Sequence, residues 1–170
     1  NQKIRAEKKY NKLSKKIKKT GYNKRSYRSG NFLLHSILSE IVVKDILGDK
    51  AEIKNAYDYD ILYRCDKIDV KLKPNSDEDP QPYWNASLPA YQLKKQKCDG
   101  YVFTRLNRDL TTLWITGILS KEDFKKRAKF AKSGSRDGKW KWDVDSYYIK
   151  IEDLEPLSFY KERRYEISFF

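Results

Sequence analysis

Apolar residues return at helical spacing between Asn31 and Leu47, where Leu33, Leu34, Ile37, Leu38, Ile41 and Val42 share a stripe and Gly48 follows as a stop signal. On a helical wheel Glu40 falls between Leu33 and Leu47, at the edge of that stripe. A carboxylate so placed calls for an ion or a partner, and Lys44 one turn on would serve as well. Beyond Gly48 the period shortens to two. A short strand is expected over Ala51 to Lys54. The stretch YDYDILYRCDKIDVKLK, Tyr57 to Lys73, then reads as a hairpin: Ile61, Tyr63, Ile68, Val70 and Leu72 make an apolar face, and acids and lysines make the other. Together these segments predict a three-stranded antiparallel meander.

Register decides which charges meet. With an even loop centred near Cys65-Asp66, Asp60 faces Lys71 and has Asp69 on the diagonal; an odd loop turns Asp60 to the other face. Two carboxylates beside a lysine suit a hard divalent cation and a fixed positive charge next to a phosphate or a water, a combination that phosphodiester hydrolysis uses. An amphipathic hairpin with a salt-bridged outer face reads the same residues equally well. Asp58 shares the face of Asp60 and is its rival.

Farther along, the Pro/Asp-rich segment 74–82 is a surface loop whose acids lack calcium-loop spacing. Trp84 to Lys97 predicts a helix interrupted near Pro89. Tyr101-Val102-Phe103 and Leu113 to Leu119 read as strands joined by a loop at Asn107-Arg108-Asp109. SKED at Ser120 is a capping box with Asp123 at its third position, opening a helix from Lys121 to Ala131. KSGSRDGK, residues 132–139, reads as a charged flexible loop, and the aromatic-rich end as strands or a docked tail.

Composition narrows the function. The 170 residues fit one domain, 31–170, behind a basic extension, 1–30. That extension holds twelve Lys/Arg and one acid, Glu7, leaving 25 basic against 23 acidic residues for the remainder of a chain whose net charge is +13. Its lysines and arginines, Lys15, Lys16, Lys18, Lys19, Lys24, Arg25 and Arg28 among them, suit a polyanion, and Lys132, Arg136 and Lys139 add charge farther on. A solvated tail is the plainer reading, and an anionic membrane fits less well because the stripe lacks Trp and Phe. Two distant cysteines, Cys65 and Cys98, argue against a disulfide framework and a zinc knuckle. The single histidine, His35, and the lack of a Gly-rich phosphate loop leave little for triad or nucleotide chemistry. No apolar run has the length of a membrane span or a signal sequence, so a soluble cytoplasmic protein is expected.

The order of these features, a helix with Glu40, a strand, a strand with Asp60, a strand with Asp69-Val70-Lys71, a helix with Gln92 and a further strand, resembles the PD-(D/E)XK nuclease superfamily over residues 31–119. The likeness is nearest to its small stand-alone, phage-type members, with residues 120–170 as an elaboration. Tyr59 stands where the motif has proline. The resemblance implies an α/β fold of α+β type around a mixed sheet, and a metal-dependent DNA endonuclease. It implies Asp60 and Asp69 as ligands of Mg²⁺ (with Mn²⁺ able to substitute), Glu40 supporting them directly or through water, Lys71 positioning the attacking water, and Gln92 beside Lys71. DNA is the implied partner, and a homodimer is expected of a restriction or homing type. A nucleic-acid-binding protein that keeps the fold without cleaving is the alternative, and an unrelated interaction domain a third.

Overall fold

The structure, a computed structural model, describes residues 31–158 apart from Asn55, 75–77, 109–110 and Lys139. Helix α1, Asn31–Leu47, ends where Gly48 takes φ 85° and returns its amide to the Lys44 carbonyl, the left-handed stop that glycine adopts without strain. Strands β1 (Ala51–Ile53), β2 (Ile61–Tyr63) and β3 (Asp66–Pro74) follow as the expected antiparallel meander. Strand β5, Gly100–Leu106, then lies parallel to β3, and β6, Leu113–Ser120, returns antiparallel to β5. The result is a mixed five-stranded sheet in the order β1-β2-β3-β5-β6.

A parallel pair needs a crossover. Here that crossover carries β4, Asn85–Pro89, and α2, Ala90–Lys95. The helix predicted over Trp84 to Lys97 is therefore half strand: Asn85 to Pro89 alternates between half-buried and buried positions, the period of two, and proline's missing amide lets the helix begin only at Ala90. A second correction concerns the helix expected from Lys121 to Ala131. Helix α3, Lys121–Arg127, stops early, and Lys129–Ala131 becomes strand β7 because it can pair with β10, Ser146–Lys150. The cap at Ser120 forms, with its hydroxyl accepting the Asp123 amide at 3.0 Å and donating to the Asp123 carboxylate at 2.6 Å.

Segment 132–139 is not all loop either. Arg136–Asp137 (β8) and Trp140–Lys141 (β9) form a small hairpin. Strand β10 lies between β4 and β7 in a second, three-stranded sheet, so the first part of the aromatic-rich end packs as strand, while residues 159–170 lie outside the described residues. A 3-10 turn, Ile151–Asp153, follows.

The core has two sides. Val43, Leu47, Ile61, Tyr63, Ile68, Val70 and Val102 close one side of the large sheet, which α1 covers; Val43 rather than Val42 is sealed. On the other side Leu88, Leu93, Tyr101, Phe103, Leu119, Phe124 and Ile149 join α2, α3 and the second sheet. Ser39 and Thr104 share a buried 2.6 Å hydrogen bond between α1 and β5, and Thr104 donates onward to the Lys71 carbonyl at 3.3 Å. A bulge at Thr116 puts Gly117 at φ 146°, where an added Cβ would lie 2.5 Å from Leu154 Cβ and 2.8 Å from the Glu155 carbonyl. Only a residue without a side chain allows that approach. Among the described residues no helix is long and apolar enough to cross a membrane.

Candidate active site

The hairpin turns on Arg64-Cys65, one residue earlier than expected, with Tyr63 opposite Asp66 and Arg64 at φ 56°. The earlier turn moves the pairing by two, so Asp60 faces Asp69 and not Lys71. Parity is kept, and the two carboxylates still share a face. Asp60 straddles its neighbour: its amide donates to the Ile68 carbonyl at 3.0 Å, and its Oδ2 accepts the Val70 amide at 2.8 Å. Asp58 stands elsewhere, accepting the Lys97 amide at 3.2 Å.

Strand alternation carries Asp69 and Lys71 to the side where Tyr101 and Phe103 lie, and both are buried, at 5% and 7% exposure. Lys71 forms an ion pair with Asp69 Oδ2 and donates to Gln92 Oε1 at 2.7 Å and to Gln96 Oε1 at 3.2 Å. The ring of Tyr101 lies beneath it, with its centroid 5.8 Å from Nζ. Helix α2 exists where it does because Leu93 packs into the second core while Gln92, one position before, points its amide at the lysine.

The electrostatics are unbalanced. Burial, then the charge of Asp69, then that of Glu40 push the Asp60 carboxyl well above the usual carboxylate range, against the pull of the Val70 amide. Asp69 Oδ2 meets the ammonium as an ion pair but receives no hydrogen bond of proper geometry. Asp69 thus meets the buried lysine directly, and Asp60 lies beside Asp69 under the further influence of Glu40. Among the described residues no three His, Cys, Asp or Glu side chains form a ready-made metal cage. Magnesium does not need one, because it commonly takes one or two carboxylates and keeps several waters. Asp60 and Asp69 are the two carboxylates that could supply such a donor set, with Glu40 acting on Asp60 through space and Asp69 Oδ2 already paired with the Lys71 ammonium.

Of the residues singled out from sequence, Asp60, Asp69, Lys71 and Gln92 come together, and Glu40 bears on them electrostatically. Lys132 and Arg136 are exposed, Arg136 on the β8–β9 hairpin. Lys139 and the tail residues Lys15, Lys16, Lys18, Lys19, Lys24, Arg25 and Arg28 lie outside the described residues. Gln96 escaped notice, although its spacing of four from Gln92 was the available sign. Lys121, which donates to the Gln96 carbonyl, had no sign at all.

The fold and site together describe a mixed α/β protein with a buried acid–lysine–amide cluster at one end of its main hairpin. No protein-family model matches the chain, and no curated protein matches it.

Proposed function

We propose that the protein is a metal-dependent endonuclease acting on DNA, of the PD-(D/E)XK kind. The observation that carries this reading is the meeting of Asp60, Asp69, Lys71 and Gln92 within one cluster, where burial and acidic neighbours push the Asp60 carboxyl above its usual range. The sheet order, a meander followed by a crossover to a parallel strand, supports it as well.

Asp60 and Asp69 would hold Mg²⁺ or Mn²⁺, which when bound supplies Lewis-acid polarisation of the phosphate and a lowered pKa for water. The chain's own groups do the rest. The Val70 amide fixes the Asp60 carboxylate through Oδ2, leaving Oδ1 outside that bond. Gln92 and Gln96 hold the Lys71 ammonium through two acceptors and Asp69 takes its third side, fixing the positive charge beside the carboxylate where a phosphate would bind. A fixed ammonium there stabilises charge that builds on the phosphoryl oxygens during in-line attack by water. Exposed basic residues such as Lys132 and Arg136, with the basic extension, contact the backbone, which positions DNA without reading its sequence.

The test is a cleavage panel of supercoiled plasmid, linear duplex, single strand, flap and four-way junction, with Mg²⁺, Mn²⁺ or EDTA. Cleavage that needs the metal and vanishes in Asp69→Ala is expected. If every DNA form stays intact with both metals, the enzyme reading fails and the non-cleaving, nucleic-acid-binding reading replaces it.

A further inference from the structure

Two residues beyond Lys71 on the same face of β3, Lys73 enters a different environment. Its ammonium lies 5.0 Å from the ring centroid of Trp140 and 5.8 Å from that of Trp142. Beside it the Arg105 guanidinium covers Trp84 at 4.8 Å and donates to the Asn85 carbonyl at 3.0 Å. Asp137 is the acid of this cluster, and its carboxylate is engaged by the Asn85 amide at 2.6 Å. Among the described residues Lys73 makes no hydrogen bond and no ion pair, and its ammonium meets aromatic faces.

Trp142 is buried and stacks on Tyr148 at 5.2 Å, which accounts for it as packing. Trp140 has no such account. The β8–β9 hairpin holds it over Lys73 yet leaves it 53% exposed, an indole offered to solvent beside a cation that forms no ion pair among the described residues. Burial and the neighbouring Arg105 charge lower the Lys73 ammonium to about 8, with Asp137 pulling the other way. An arriving phosphate would reverse that depression.

We propose that Lys73 and Trp140 form a subsite for an unpaired nucleotide of DNA, Lys73 taking a phosphate and the exposed indole stacking on its base. A positive groove with an aromatic platform is how single strands are held without sequence choice, because every base has a π-face. A paired base cannot use the platform, since its faces are already stacked in the duplex. Same-face neighbours on a strand are about 6.6–6.8 Å apart, and a DNA strand in duplex form rises about 3.4 Å per nucleotide. Lys73 thus stands no more than about two nucleotides from the phosphate at Lys71. That distance rests on the endonuclease reading; the platform does not. Together they make single-stranded or flap-bearing DNA the favoured substrate over uninterrupted duplex.

The experiment measures binding in EDTA by fluorescence anisotropy, using the full chain, a labelled oligothymidylate and a blunt duplex of equal length. Trp140→Ala should weaken the single strand about 5-fold or more, the effect of losing one stacked base, and change duplex affinity by less than about 2-fold. Trp140→Phe should keep most of the single-strand affinity, and Lys73→Gln should lower its salt dependence by about one counterion. Circular dichroism checks that each variant is folded. Equal affinity of Trp140→Ala and wild type for the single strand overturns the proposal, as does an equal loss on both ligands. Tighter binding of oligouridylate than of oligothymidylate overturns the assignment to DNA. Because no metal is present, a chain that cuts nothing but shows the selective loss keeps the subsite and sinks the endonuclease reading. A chain that cuts normally without the selective loss does the reverse.

Discussion

Replacing Asp60 with asparagine should stabilise the metal-free protein. The side chain keeps its shape, and its oxygen can still accept the Val70 amide that now binds Oδ2 at 2.8 Å. What disappears is an acid crowded by Asp69 and Glu40. Directly opposed strand residues have Cβ atoms about 5 Å apart, and two like charges at that distance repel by roughly 3 kcal/mol at an effective dielectric of about 20. Protonation of Asp60 relieves part of this, so a gain of about 1–2 kcal/mol is expected, or about 2–8 °C in Tm for a chain of this length. The sign follows from the raised pKa. The folded state holds a proton that the unfolded chain releases near 3.8, so this stability is fully present below that value and is lost as pH rises through the folded-state pKa. The advantage of Asp60→Asn should therefore be large at pH 8 and vanish at low pH. Excess Mg²⁺ should stabilise wild type at pH 8 by about 2.7 kcal/mol at a hundredfold excess over Kd, read as a higher Tm, and do little for the variant. Thermal melts in EDTA and in Mg²⁺ at several pH values measure all of this. A variant less stable than wild type at pH 8 in EDTA, or one that gains as much from Mg²⁺, refutes the reasoning.

Other perturbations probe neighbouring parts. Lys71→Ala should cost about 3–5 kcal/mol in urea unfolding, since it strands buried Asp69; Lys71→Ala with Asp69→Asn should recover much of that, and an additive pair would contradict the coupling. Gln92→Ala should slow Mg²⁺-dependent cleavage about 10- to 100-fold while changing stability by less than about 1 kcal/mol, because it orients the lysine from a half-buried position. Lys73, lowered from 10.5 to about 8, binds its proton less tightly in the folded state, so wild type should gain about 1–2 kcal/mol between those pH values after allowing for solvent access. Lys73→Met should lack that rise in denaturation curves. Gly117→Ala should destabilise by about 2–4 kcal/mol in the same assay, because neither φ 146° nor the space beside Leu154 admits a methyl group.

Sequence periodicity was a good guide wherever one face is apolar. It placed α1 to the residue and gave the meander, since Ile61, Tyr63, Ile68 and Val70 can be buried in one parity only. It misjudged the turn because Arg64 accepts a positive φ, a conformation that side-chain type usually disfavours. It read Asn85 to Pro89 and Lys129 to Ala131 as helix because what makes them strands is β10, which is distant in sequence. Local propensity cannot see such a partner. The acids and lysine of the site were visible as a pattern. The depth at which Asp69 and Lys71 lie was not, nor was the second glutamine, Gln96, that holds the ammonium.

Strand β10 also sets a timetable for the molecule's assembly. The first amide of α2, at Ala90, is tied at 2.8 Å to the carbonyl of Asp145, and β4 has β10 as its only neighbour in its sheet among the described residues. A ribosome adding about 5–20 residues per second needs roughly 3–12 s to pass from β4 to β10. Throughout that interval the meander has what it needs to pair, while the helix bearing Gln92 lacks the strand that anchors it. The acid–lysine cluster is thus completed late, after nearly all of the described chain has been made. A nascent chain arrested before Ser146 should carry the two carboxylates without the fixed ammonium beside them.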